Sequence, residues 1–187
     1  MFAGYQYTNV IDIKSIKENG LKVLNSDTIN LLIKEISKLK VFNVKILKDR
    51  VYEYINNVEE FDKRKGILYC LSDEKQLEWY SGTKDFLTYF GGEIFRNAVN
   101  SFDTDEKIKN IGIPVIIKFL FSFDDIESYK KIDFILHLKN KILNDKKTKF
   151  DMDIAIGKDI EPKNILGYYS LKLNKDELYE ILGFNKI

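Results

Sequence analysis

At 187 residues and 44% apolar composition, the chain is long enough to bury one real core and is expected to form a single domain over 1–187. Thirty basic residues against twenty-nine acidic leave no global field that would demand nucleic acid or an acidic partner. With Cys70 the only cysteine and His137 the only histidine, a disulfide framework and a zinc site of ordinary composition are both excluded.

The chain opens on Tyr5-Gln6-Tyr7-Thr8, and the apolar period changes at Thr8 from two to near three and a half, through Val10, Ile13 and Ile16. That predicts a strand feeding a short helix, with Thr8 or Asn9 at the N-cap and Gly20 as the left-handed stop. Ser26 or Asp27 is expected to cap a helix bearing Ile29, Leu32, Ile33 and Ile36. A second helix is expected from about Val44 to Phe61, then a charged turn at 62–66. Ile67–Leu71 reads as a buried strand, and Ser72-Asp73 as the start of a helix holding Leu77, Trp79 and Tyr80. Ser81-Gly82-Thr83 is expected to break that helix, and 86–90 to form a strand or short helix. Gly91-Gly92 then turns into helical spacing over 93–99.

Pro114 opens a strand over 115–121. A helical pair is expected around 124–129 and 132–143, followed by a lysine-rich turn at 146–149. Residues 150–156 alternate, with Asp151 and Asp153 on the polar face. A turn at 161–164, a strand at Ile165–Leu173 and a last helix at Asp176–Leu182 complete the reading. Helices concentrate in the first half and strands in the second, which points to an α+β fold. No leader or membrane-length apolar run is recognisable, so a cytoplasmic, non-membrane protein is expected.

The catalytic vocabulary left is carboxylates, tyrosines, hydroxyls and lysines, because one histidine excludes paired-histidine and Ser-His-Asp chemistry and no phosphate-loop pattern occurs. Gln6 and Thr8 project from one strand face. Tyr80 follows a strand end beside Trp79, Glu93 follows two glycines, and Asp151 and Asp153 share a strand face. Each also has a plain structural reading: a cap for Thr8, a core aromatic for Tyr80, a first-turn acid for Glu93, a solvent face for the two aspartates.

Tyr5-Gln6-Tyr7-Thr8 followed by Gly20-Leu21 resembles the opening motif of ADP-ribosyltransferase-like proteins, in particular the PARP-like group and the DNA-targeting toxins. Gln6 stands where that family has histidine. Ile67–Leu71, Ser72-Asp73 and Trp79-Tyr80 resemble its second element, a strand and a helix whose aromatic stacks on nicotinamide. Asp153-Ile154-Ala155-Ile156, then Ile160–Ile165 with Pro162, is similar to its third, an acid-bearing strand and a proline turn, with Asp153 in place of the usual glutamate.

The resemblance implies two small, mostly antiparallel sheets packed with helices, and an NAD-dependent transferase acting on a macromolecular acceptor in toxin or phage-conflict biology. It further implies Asp153, or Glu93 in its place, as the catalytic acid, with Gln6, Thr8 and Tyr80 contacting NAD and no metal required. The alternative is a non-catalytic α+β binding protein of anti-defence or immunity type. A nucleic-acid surface at Lys139–Lys149 is the weaker reading, since near-zero net charge and Asp145 favour a solvated loop.

Overall fold

The computed structural model describes residues 1–40, 43–57, 59–74, 81–99, 108–109, 111–143, 152–175 and 178–186. Their strands are β1 (Phe2–Val10), β2 (Leu68–Leu71), β3 (Ile113–Phe121), β4 (Asp153–Ile156), β5 (Ile165–Leu173) and β6 (Tyr179–Lys186). The helices are α1 (Ile13–Asn19), α2 (Ser26–Ser37), α3 (Val44–Asn57), α4 (Glu59–Arg64), α5 (Ser81–Thr88), α6 (Gly92–Val99) and α7 (Ser128–Leu143). Single 3-10 turns occupy Phe123–Asp125 and Pro162–Asn164.

All six strands join one antiparallel sheet in the order β4-β2-β1-β3-β5-β6. The fold is therefore α+β, but with one sheet where two were expected. β3 is the reason: its Val115, Ile117, Phe119 and Phe121 line one face while Ile116 buries on the other, so it is wanted at the centre with a partner on each side.

The first face carries a core of Val115, Ile117, Phe119, Phe121, Cys70 and Ile154, covered by Ile13 and Ile16 of α1 and Phe134 of α7. The second face holds Tyr5, Tyr7, Leu71, Leu87, Ile116 and Leu171, and α5 lies against it. A third cluster belongs to the helices: Ile29, Ile33 and Ile36 of α2 pack with Leu47, Val51 and Ile55 of α3 and Phe95 of α6. In α2 and α3 the buried residues recur at three- and four-residue spacing, the stripe an amphipathic helix presents to its neighbours.

Several expectations are corrected in detail. β1 runs on to Val10, and the cap of α1 is Asp12, whose carboxylate accepts from the Lys14 N–H at 2.9 Å. Thr8 and Asn9 stay in the strand because β3 pairs with them, at Val115 and Pro114. Asn25, rather than Ser26 or Asp27, caps α2 by accepting from Thr28 N–H at 2.8 Å. Ser81-Gly82-Thr83, expected to break a helix, is itself helical and belongs to α5. The pair expected between 124 and 143 is one 3-10 turn and one long helix.

The largest correction is the C-terminal segment, which is a strand where a helix over 176–182 was expected. Asn174 closes a hairpin: its N–H donates to the Leu178 carbonyl and its side chain accepts from Leu178 N–H, both at 2.8 Å. Glu180 then faces Lys172 and Phe184 stacks on Tyr169 at 4.9 Å, cross-strand pairs that no helix of this segment could make. Residues 75–80 of the helix expected after Ser72-Asp73, and the turn expected at 146–149, lie outside the described residues.

Candidate functional site

Three strands far apart in sequence are neighbours in the sheet: β1, which carries the opening tetrapeptide, then β2, then β4, which carries Asp153. Registers give one straight row across all six strands: Asp153, Leu71, Tyr5, Lys118, Gly167 and Lys186. Residues directly opposite in an antiparallel ladder share a face. Asp153 therefore belongs to the Tyr5 and Leu71 face.

Gln6 and Thr8 do not. They pair with Ile117 and Val115, whose side chains build the first core, so the pleat turns them to the opposite face from Asp153. Both are half-buried there. The structure thus brings the motif-bearing strands together but separates these two side chains from the acid. Of Glu93 the structure describes the backbone, in the first turn of α6, and nothing of the side chain. Tyr80, Trp79 and Asp151 lie outside the described residues.

Asp153 opens β4, and its side chain, 52% exposed, pairs with the Lys130 ammonium at 3.3 Å. The two belong to a groove of about 250 Å3 between α7 and β4, lined also by Asp133, His137, Asn140 and Met152. β4 is fixed beside α7 by backbone pairing: Glu127 N–H donates to Ala155 O at 2.9 Å and Gly157 N–H to Asp125 O at 3.0 Å. Lys130, Asp133, His137 and Asn140 recur at three- and four-residue steps, so one stripe of α7 forms the groove wall.

His137 is the member that sequence reasoning missed, having used it only to exclude chemistry. The signal was that polar stripe at helical spacing. Its Nδ1 is buried and has no hydrogen-bond partner among the described residues. Burial, then the charge of Lys141, holds the imidazole below its usual range, against an opposing pull from Asp73. The ring is accordingly neutral at pH 7, and able to take a proton.

On the same face, beyond β2, the Tyr7 hydroxyl donates to the carbonyls of Asp73 and Glu74 at 3.1 and 2.7 Å, pinning the chain where it leaves β2. Burial pushes the Tyr5 phenol up, and hydrogen bonding to the Glu74 carboxylate pushes it further, so it stays protonated. Lys118 stands over the rings of Tyr5 and Phe184, at 5.5 and 5.9 Å. Three strand spacings, about 14 Å, separate it from Asp153, so the two cannot serve one small group. Cys70, on the other face, is buried and its thiol is pushed up, which leaves it inert as a nucleophile.

A second hollow, of about 330 Å3, lies at Asp124–Ser128 and 157–158. Burial disfavours the Asp125 carboxylate, but Lys158 at 2.7 Å and the Ser122 N–H at 2.7 Å outweigh it, so its carboxyl lies below the usual range. Those partners are spent on holding the 3-10 turn against β4. Among the described residues, no group of three His, Cys, Asp or Glu side chains is placed to hold a metal ion.

No protein-family model matches the chain, and a search of curated proteins gives no match.

Proposed function

We propose that the chain is an NAD-dependent ADP-ribosyltransferase acting on a macromolecule, with Asp153 as its working carboxylate. The observation that carries this is the meeting of Asp153, Lys130, His137 and Asn140 in one groove, on a strand that neighbours β2 and, through it, β1. Cleavage of the nicotinamide–ribose bond leaves the bonding pair on nicotinamide and positive charge on the sugar. A half-exposed carboxylate stabilises that oxocarbenium character. Asn140 offers a donor and an acceptor to ribose hydroxyls. The side-chain separation revises the roles of Gln6 and Thr8, which in this reading support the sheet beneath the groove.

The test is incubation with NAD labelled in its ADP-ribose half, in cell extract, following nicotinamide release and label on macromolecules. Wild type is active, and Asp153→Asn lowers the rate at least about 100-fold. Asp153 is an exposed ion-pair member, so its loss leaves the fold intact. Glu93→Ala separates the two candidate acids. Absence of release and transfer in wild type, with no NAD-induced rise in melting temperature, refutes the proposal.

One observation favours the binding-protein reading. β6 is paired on one side only among the described strands, and it exposes Ile181, Leu182 and Phe184 along that open edge. An edge of this kind accepts a strand from another protein. A stoichiometric complex that survives gel filtration and is lost in Leu182→Lys, in a protein inert toward NAD, selects this reading over the first.

A further inference from the structure

The groove between α7 and β4 carries one group that the NAD reading leaves unused, the Asp133 carboxylate. Lys130 stands three residues earlier on α7, at the spacing of a helical ion pair, yet its ammonium reaches across to Asp153 at 3.3 Å instead. The Asp133 side chain is exposed and has no ion-pair or hydrogen-bond partner among the described residues. His137, one turn further on, adds no charge at pH 7. Its buried Nδ1 has no partner, so a proton added there would be a buried, unsatisfied donor. Lys141 and Asp73, the further charges that act on this ring, oppose each other.

Charge and size decide what the groove takes. Two aspartates against one lysine leave its lining at a net charge of −1, in a chain whose overall balance is +1. An anion is thereby disfavoured, and a metal ion finds no group of three ligating side chains among the described residues. At about 250 Å3 the groove falls short of the roughly 300–1,000 Å3 that encloses a drug-sized ligand, so it receives the end of a larger molecule. Leu136, three residues from Asp133 and 50% exposed, gives an apolar rest beside the carboxylate. A cationic head on an apolar stem fits this pairing, with the stem along Leu136 and the head at Asp133. Arginine fits better than lysine, because its planar fork donates two parallel bonds to one carboxylate, whereas an ammonium meets it as a point charge.

We infer that the α7–β4 groove receives an arginine side chain of a partner protein, with Asp133 holding the guanidinium and Leu136 supporting its stem. Asp153 is the second carboxylate of the groove, and Lys130 occupies it. That pair is half-exposed and weak, so Lys130 acts as an internal competitor of the incoming cation. The inference goes beyond the NAD reading, since it needs neither NAD nor any chemistry at Asp153.

The experiment is a titration of the full chain without NAD, followed by NMR on the His137 imidazole and the Asn140 side-chain amide. The probes are a blocked Gly-Arg-Gly tripeptide, its lysine and citrulline counterparts, and free arginine. The arginine peptide gives saturable shifts, the lysine peptide binds about fivefold more weakly, and the uncharged citrulline peptide at least about tenfold more weakly. Asp133→Asn weakens binding of the arginine peptide at least about tenfold, and Lys130→Gln, which removes the competing ammonium, strengthens it about threefold. Asp133 has no internal partner, so urea unfolding of Asp133→Asn matches wild type and lost binding is not lost fold. Three results overturn the inference: no saturable shift by about 10 mM arginine peptide, equal binding of the citrulline peptide, or unchanged binding of Asp133→Asn. Free arginine binding more tightly than the blocked peptide assigns the groove to the amino acid and overturns it equally. Because NAD is absent throughout, a negative result leaves NAD cleavage standing, and a failure of NAD cleavage leaves a positive result standing.

Discussion

Gly20 offers the sharpest test of how the N-terminal unit is held to the sheet. It ends α1 at φ 72° and ψ −160°, a region essentially confined to glycine. A Cβ there would lie 1.9 Å from the Ile160 carbonyl oxygen. That oxygen accepts from Leu21 N–H at 2.9 Å, and Ile160 N–H returns a bond to Leu21 O at 2.8 Å. Gly20→Ala therefore meets a backbone cost of about 1–3 kcal/mol and loses two hydrogen bonds worth about 1 kcal/mol each, roughly 3–5 kcal/mol in all. Gly66 is the control, because its φ of 78° is as unusual but nothing lies within 4 Å of the added methyl. Gly66→Ala should cost only about 1–2 kcal/mol. Equilibrium urea unfolding measures both, with the midpoint moving and the slope unchanged. Equal losses, within about 1 kcal/mol, would refute the idea that the Leu21–Ile160 tie is tight enough to resist a methyl group.

Phe134→Ala removes the one buried anchor of α7 and should cost about 3–5 kcal/mol in urea unfolding, with amide protection falling more along α7 than along β3; a loss below about 1 kcal/mol contradicts the packing described. For His137 the folded value lies below the usual 6.5, so the unfolded chain takes its proton first as pH falls. Its contribution to stability is thus complete above about pH 6.5 and declines as pH drops toward the folded value, and His137→Gln flattens that part of the profile. An imidazole NMR titration with a midpoint at or above 6.5 refutes the burial argument.

What the sequence made legible follows from where periodicity and context agree. α2, α3 and β3 are long and strongly patterned, and their positions agree with the expectation to within a few residues at the ends. β6 was misread because Leu178, Tyr179, Ile181 and Leu182 carry helical spacing in a run too short to arbitrate. The deciding information sits eight to nineteen residues away, in Lys172, Tyr169 and Gly167, which only a folded hairpin opposes to it. Site reading fails for a similar reason. That Gln6 and Thr8 share a face is readable from alternation within β1, but whether Asp153 shares it depends on the β1–β2–β4 register. His137 was visible as part of a polar stripe, yet nothing local says that the stripe meets the start of β4.

Position on one helix ties the groove to the outer surface. Phe134 points inward, Lys130, Asp133, His137 and Asn140 occupy one shoulder, and Ile132 and Leu143 face out. Leu136 belongs to both the groove lining and the outer stripe. Any molecule that seats in the groove and displaces Leu136 therefore changes the outer face of α7 as well.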